Sequence, residues 1–247
     1  MANYPAFSAV VPSANFNGRD GAPVDILLLH YTGMRDDEAA VRWLADPRSE
    51  VSCHYVVHED GRIIAMVDEE ERAWHAGQGS WKGITDINAR SVGIEICNPG
   101  HNHGYRSFPD VQIDAVINLS KAIIARHDIA AEHVLAHSDI APNRKEDPGE
   151  LFPWDRLYAE GVGHYVQPAP SEDGRFMGVG DQGEPVAALQ NMLKLYGYDV
   201  ETHGTFDQAT QAVVRAFQRH FRPARIDGVA DSSTVSTLHH LLSALIG

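Results

Sequence analysis

Cysteine is scarce in this chain. Its 247 residues hold two, Cys53 and Cys97, each inside an apolar run ("VSCHYVV", "VGIEICN"). Two thiols cannot build a cysteine-rich metal framework, and both read as small buried hydrophobes. Apolar runs of membrane-spanning length are missing, so no membrane span is expected. The opening stretch "MANYPAFSAVVPSANFNGRDG" lacks a basic segment followed by a long apolar one and does not read as a signal peptide. As written, the chain is expected to be soluble and to begin in the cytoplasm. Bases are outnumbered, 20 against 34 acids, for a net charge of −14. That field repels phosphate backbones and anionic lipid surfaces, which argues against a nucleic-acid partner. It leaves neutral small or polymeric substrates open.

What is present alternates between strand and helix signals. "DILLLHYTG" (25–33) and "SVGIEIC" (91–97) are short apolar runs closed by turns, as buried strands are. "DDEAAVRWLADP" starts with acids and ends at proline, a helix signature. "VSCHYVVHEDGRIIAMVDEE" reads as a hairpin about Asp60-Gly61. "FPDVQIDAVINLSKAIIARHDI" spaces Ile113, Val116, Leu119 and Ile123 as one face of a helix, with Pro109 near its start. "HVLAH" is a last short strand. The pattern predicts an α/β fold, a mixed central sheet flanked by helices. Residues 161–176, rich in Gly and Pro, read as a linker. Three amphipathic segments follow and predict a small C-terminal three-helix bundle. The expected division is 1–160, a linker over 161–176, and 177–247.

Three of the buried-looking strands each carry an ionisable group. His30 ends one, His137 ends another, and Glu95 sits among Val and Ile in the third. An ionised carboxylate in such company costs several kcal/mol unless something pairs with it. A catalytic zinc gives a reason: it takes three protein ligands, commonly His and carboxylate, and keeps a fourth position open. His30 and His137 can supply two nitrogens. Asp147 can supply an oxygen from across a Pro-bounded loop, and Asp139 is an equal candidate on composition. Histidines 54, 58, 75, 101, 103, 127 and 133 compete, and spacing does not choose among them. Glu95 could carry the proton of an attacking water, and the Lys145 ammonium could face a developing oxyanion.

The motifs "LLLHYTG", "SCHYVV", "RAWHAG", "NARSVGIEI" and "AHSDIAPNRKEDPG", in this order, resemble the zinc-dependent N-acetylmuramoyl-L-alanine amidases of the type 2 amidase family. The resemblance spans roughly Asp25 to Trp154. It implies an α/β fold around one Zn2+ and hydrolysis of the amide joining N-acetylmuramic acid to L-alanine of the peptidoglycan stem peptide. Position by position it implies His30, His137 and Asp147 as metal ligands, and Glu95 and Lys145 as catalytic residues. It also implies Trp74, His75 and Asn88 beside the substrate. Arg72 and Arg90 are candidates to read the stem-peptide carboxylates. The tail, with "VAALQ", "GTFDQAT", "AVVRAFQ" and "DGVADSST", is similar to the three-helix peptidoglycan-binding domain of wall hydrolases. The implied partner is peptidoglycan or a muropeptide, including 1,6-anhydro forms. A muropeptide-binding protein without activity and a zinc peptidase cutting within the stem are the rival readings. The absent signal points to the cytoplasm, whereas the wall-binding module points to the periplasm or envelope.

Overall fold

The computed structural model describes residues 7–171 and 176–246. A six-stranded mixed sheet has the order β1-β5-β4-β7-β3-β8. Its strands are β1 (Ala9–Val10), β3 (Ile26–Tyr31), β4 (Tyr55–Val57), β5 (Ile63–Ala65), β7 (Ser91–Ile96) and β8 (Val134–Ala136). β2 (Phe16–Gly18) and β6 (Glu71–Ala73) form a separate antiparallel pair. β3 is flanked by β7 and β8, both parallel to it, which explains its unbroken apolar run "ILLL". β4 and β5 form the expected hairpin, with Gly61 at φ +84° in its turn. A β-carbon there would also lie 2.9 Å from the Val111 carbonyl oxygen.

The helices are α1 (Asp37–Ala45), α2 (Ile87–Arg90), α3 (Asp110–His127), α4 (His137–Ile140), α5 (Trp154–Ala159), α6 (Glu184–Tyr196), α7 (Gln208–Phe221) and α8 (Ser232–Ala244). Asp36 caps α1 by accepting from Ala39 N, and α3 buries Ile113, Val116, Leu119 and Ile123 as their spacing predicts. None of the described helices is long and apolar enough to cross a membrane. In the C-terminal bundle one hydrogen-bonded device is used twice. The Gln190 amide accepts from Gly204 N and donates to the Thr205 carbonyl and Thr210 Oγ1. Gln218 does the same with Gly228 N, the Val229 carbonyl and Thr234 Oγ1. Each amide ties the entry of the next helix to the preceding one.

Part of the segment read as a linker packs on the rest of the chain; 172–175 lie outside the described residues. Val162 and Tyr165 are buried in the same apolar cluster as the sheet and the bundle helices. Ala169 is held from both sides, its N–H donating to Thr237 Oγ1 and its carbonyl accepting from Ser233 Oγ. Gly and Pro marked the end of regular structure here, and two apolar side chains decided that the segment packs. The bundle docks on the sheet domain through Trp81, whose ring meets Tyr198 and Tyr196 edge-on at 5.0 and 6.0 Å. Gly197 permits this approach, since a β-carbon there would fall 2.5 Å from the Trp81 ring.

At the other side of the sheet domain Glu69 is nearly fully buried and accepts from Tyr55, Arg126 and His127. Burial opposes its charge, but those hydrogen bonds prevail and hold its carboxyl at about 2, below the ordinary 4.5. A folded-state value below the unfolded one stabilises the fold above about pH 4.5, and the contribution is lost as pH falls through about 2. Glu69→Gln should therefore cost roughly 1–3 kcal/mol at neutral pH. Urea unfolding midpoints of wild type and variant should converge as pH is lowered through that window. A gap that stays constant to pH 2 would count against the charged cluster.

Candidate metal centre

The strand register builds the site. His30 on β3 is the direct cross-strand neighbour of Glu95 on β7, and β8 on the other side of β3 leads straight into His137 at the start of α4. The loop after α4 folds back on itself, Ser138 N donating to the Asp147 carbonyl at 3.1 Å, which returns Asp147 to His137. His30 Nδ1, His137 Nδ1 and Asp147 Oδ2 then lie 2.8, 2.9 and 3.2 Å from one another. All three residues are buried. Ligand atoms about 2.0–2.1 Å from a tetrahedral zinc would be roughly 3.3 Å apart, close to this spacing.

Hydrogen bonding outside the triangle settles which way the imidazoles present themselves. His137 Nε2 lies 2.9 Å from the Ala76 carbonyl, which can only accept, so Nε2 carries the proton and a neutral ring turns its Nδ1 lone pair inward. For His30 the direction passes through two residues. Ser91 Oγ gives its proton to the Ile87 carbonyl at 2.7 Å and so accepts from His75 Nε2 at 3.3 Å. His75 Nδ1 is then the acceptor for His30 Nε2–H at 3.0 Å, which leaves the His30 Nδ1 lone pair facing inward too. Burial, and next the neighbouring His137, lower His30 to about 4, which keeps its ring neutral. Two nitrogen lone pairs and a carboxylate converge with no proton between them. This donor set fits a cation, and zinc suits its mixture of imidazole and carboxylate.

A cavity of about 390 Å³ opens beside the triangle, lined among others by Glu95, Lys145, Trp74 and His75. Glu95 Oε2 is buried without a hydrogen-bond partner among the described residues. Burial, and then the Asp147 charge, push its carboxyl well above the usual value, while Lys145 pulls it down. Lys145 is half-buried, and its ammonium has no hydrogen-bond or ion-pair partner among the described residues. Trp74 is half-buried, with Nε1 donating to Asn17 Oδ1. His75 is mostly enclosed behind His30. Gly93 makes room for it, because a β-carbon there would fall 2.5 Å from His75 Nδ1. Asn88 does not line the cavity. Its Oδ1 accepts from the N–H groups of His75 and Ala76 and so fixes the segment that orients the His30 and His137 rings.

Apart from His103, which is exposed, the other candidates are engaged elsewhere. Asp139 accepts from Ala136 N, Tyr198 and His220. His54 accepts from Gly93 N and faces the Glu71 carbonyl, His127 bonds Glu69, His101 bonds Glu150, and His133 meets the Asp25 carbonyl. His58 gathers with Asp37 and Cys97 within 4.8 Å, but the Arg62 guanidinium, 3.2 Å from its Nδ1, already brings a positive charge there. Arg72 and Arg90 are bound to Asp86 and Asp25 and do not line the cavity. The roles missed at sequence level are those of Ser91 and Ala76. They act through one hydroxyl and one carbonyl and leave no compositional trace.

Comparison with known proteins agrees with this geometry. Residues 20–150 match the N-acetylmuramoyl-L-alanine amidase family, and residues 182–238 match the putative peptidoglycan binding domain. The chain is 39% identical over 233 residues to N-acetylmuramoyl-L-alanine amidase AmiD of Escherichia coli, covering 89% of this chain and 82% of that one. The structure of that E. coli enzyme with the substrate anhydro-N-acetylmuramic acid-L-Ala-D-γ-Glu-L-Lys superposes with a TM-score of 0.77 at 35% identity, over 93% of this chain and 98% of the other. AmpDh3 of Pseudomonas aeruginosa in complex with anhydromuramic pentapeptide gives a TM-score of 0.77 at 31% identity, over 99% and 98%. On this evidence the chain belongs to the N-acetylmuramoyl-L-alanine amidase family.

Proposed function

We propose that this chain hydrolyses the amide between N-acetylmuramic acid and the L-alanine of a peptidoglycan stem peptide, with anhydro-muropeptides among its substrates. The observation that carries the reading is the inward convergence of the His30 and His137 lone pairs with the Asp147 carboxylate, beside a cavity that also holds Glu95 and Lys145. These three residues would hold zinc, which when bound supplies Lewis-acid chemistry that acidifies water and polarises a carbonyl. Glu95 takes the proton from the attacking water and hands it to the nitrogen of the leaving L-alanine. The free Lys145 ammonium stabilises the negative charge that develops on the carbonyl oxygen. Trp74 offers a half-buried aromatic face to the sugar or peptide. A peptidoglycan-binding module docked on the catalytic domain favours work on the wall, in the envelope.

The test is mass spectrometry of products from anhydro-muropeptide and from intact sacculi, each with and without a chelator. The expected result is stem peptide beginning at L-alanine, with release stopped by the chelator and restored by zinc. Fragments cut within the stem would assign a peptidase. Metal-loaded protein that binds muropeptide and releases nothing would assign a binding protein.

A further inference from the structure

Between the two modules lies a second hollow of about 470 Å³, bounded by the 142–146 loop and by α7. It shares Arg144, Lys145 and Glu146 with the metal-side cavity, so this loop segment is what stands between the two. Its far wall is one face of α7, where Gln208, Gln211, Arg215 and Arg219 follow each other at helical spacing. Elsewhere the modules meet through packed rings and buried hydrogen bonds. Here the helix turns a polar face to the loop and leaves open space.

The charge of this hollow opposes that of the whole chain. Four cationic side chains line it against one acid, Glu146, in a protein of net charge −14. Two of the cations are spoken for: Arg144 is bound to the Ala76 and Gln78 carbonyls, and Arg219 to Glu146. Lys145 and Arg215 have no hydrogen-bond or ion-pair partner for their side chains among the described residues. Arg215 is nonetheless held in direction. Its stem lies across Gly228, where a β-carbon would meet Arg215 Cγ and Nε at 2.9 Å. Backbone at φ +73° without a side chain is what lets the arginine lie there.

We propose that this cleft is an anion subsite for the carboxylates of the stem peptide, with Arg215 as the group that reads them. The inference rests on the amidase reading above. A γ-linked Glu, as in the ligand of the E. coli relative, leaves its α-carboxylate free, and the peptide end carries another. Three extended residues span roughly 10 Å from the cleaved bond, enough to pass a single loop. Guanidinium and carboxylate pair through two parallel hydrogen bonds, and Gln208 and Gln211 add neutral donors beside them. The catalytic module thus binds the near end of the substrate, and α7 of the wall-binding module binds the far end.

The experiment compares wild type, R215Q and R215E on anhydro-muramyl tripeptide with free carboxylates and on the same molecule with those carboxylates amidated. Arg215 is exposed, so both variants should keep the wild-type unfolding temperature. R215Q should raise KM for the free acid about five- to ten-fold, R215E more, with kcat within about two-fold. Amidated substrate should show the raised KM already in wild type, with no further change in R215Q. An unchanged KM, an equal loss on amidated substrate, or a loss confined to sacculi would overturn the assignment. Binding of the free tripeptide to wild type and R215Q, followed by calorimetry, separates the two readings. If wild type releases no peptide from any substrate but R215Q still weakens tripeptide binding, the amidase reading fails and the subsite stands.

Discussion

Glu95→Gln is expected to leave the chain folded and its metal bound while kcat for muropeptide falls by about 10²- to 10⁴-fold. The physical grounds are specific to this position. The side chain is not part of the His30, His137 and Asp147 triangle, so its exchange removes no ligand. Its Oε2 accepts no hydrogen bond among the described residues, so the exchange breaks no bond at that atom. What it does remove is a buried carboxylate, placed beside the triangle in the cavity, that can take up and return a proton. Metal content by mass spectrometry, the unfolding temperature and kcat should be measured on the same sample. Asp147→Asn serves as the contrast, since it should lose metal and activity together. A Glu95→Gln enzyme within about tenfold of wild type would remove Glu95 from the chemistry.

Much of this site could be read from the sequence because each strand announces itself locally. "ILLLH", "SVGIEI" and "HVLA" are apolar enough to be buried on both faces, and the ionisable residue in or just after each stands out against that background. Their convergence was not local information. That His30 pairs with Glu95, and not with a residue two positions away, follows from the β3–β7 register, which depends on packing across the whole sheet. The choice of Asp147 over Asp139 needed the family resemblance. In the structure Asp139 accepts from three donors, Ala136 N, Tyr198 and His220. The edge strands β1, β2 and β6 span two or three residues, too few for alternation to show. That part of the linker segment packs was not legible, because Gly and Pro report on backbone regularity, whereas packing is decided by Val162 and Tyr165.

Asp139→Ala should reach both modules at once. Asp139 stands two residues after His137 on α4, with its side chain fully enclosed. It accepts at 2.8 Å from Ala136 N in its own domain, and at 2.7 Å each from Tyr198 and His220 Nδ1 in the bundle. His220 is in turn stacked between Trp154, 3.7 Å away, and Phe221. Truncation to alanine leaves three buried donors without an acceptor where water has no access. By the cost of breaking a buried polar cluster this amounts to about 3–5 kcal/mol, or roughly ten degrees in the unfolding midpoint for a chain of this size. Tyr198→Phe deletes one of those bonds from the bundle side and keeps the ring against Trp81, so it should cost only about 1–2 kcal/mol. If the bundle were a tethered wall anchor, both changes would behave as surface substitutions, within about 0.5 kcal/mol. Zinc affinity adds a second readout. The loop that returns Asp147 to His137 starts at α4, so Asp139→Ala should also weaken metal binding. A variant as stable as wild type, with unchanged zinc affinity, would mean that the bundle neither supports the fold nor holds the metal loop in place.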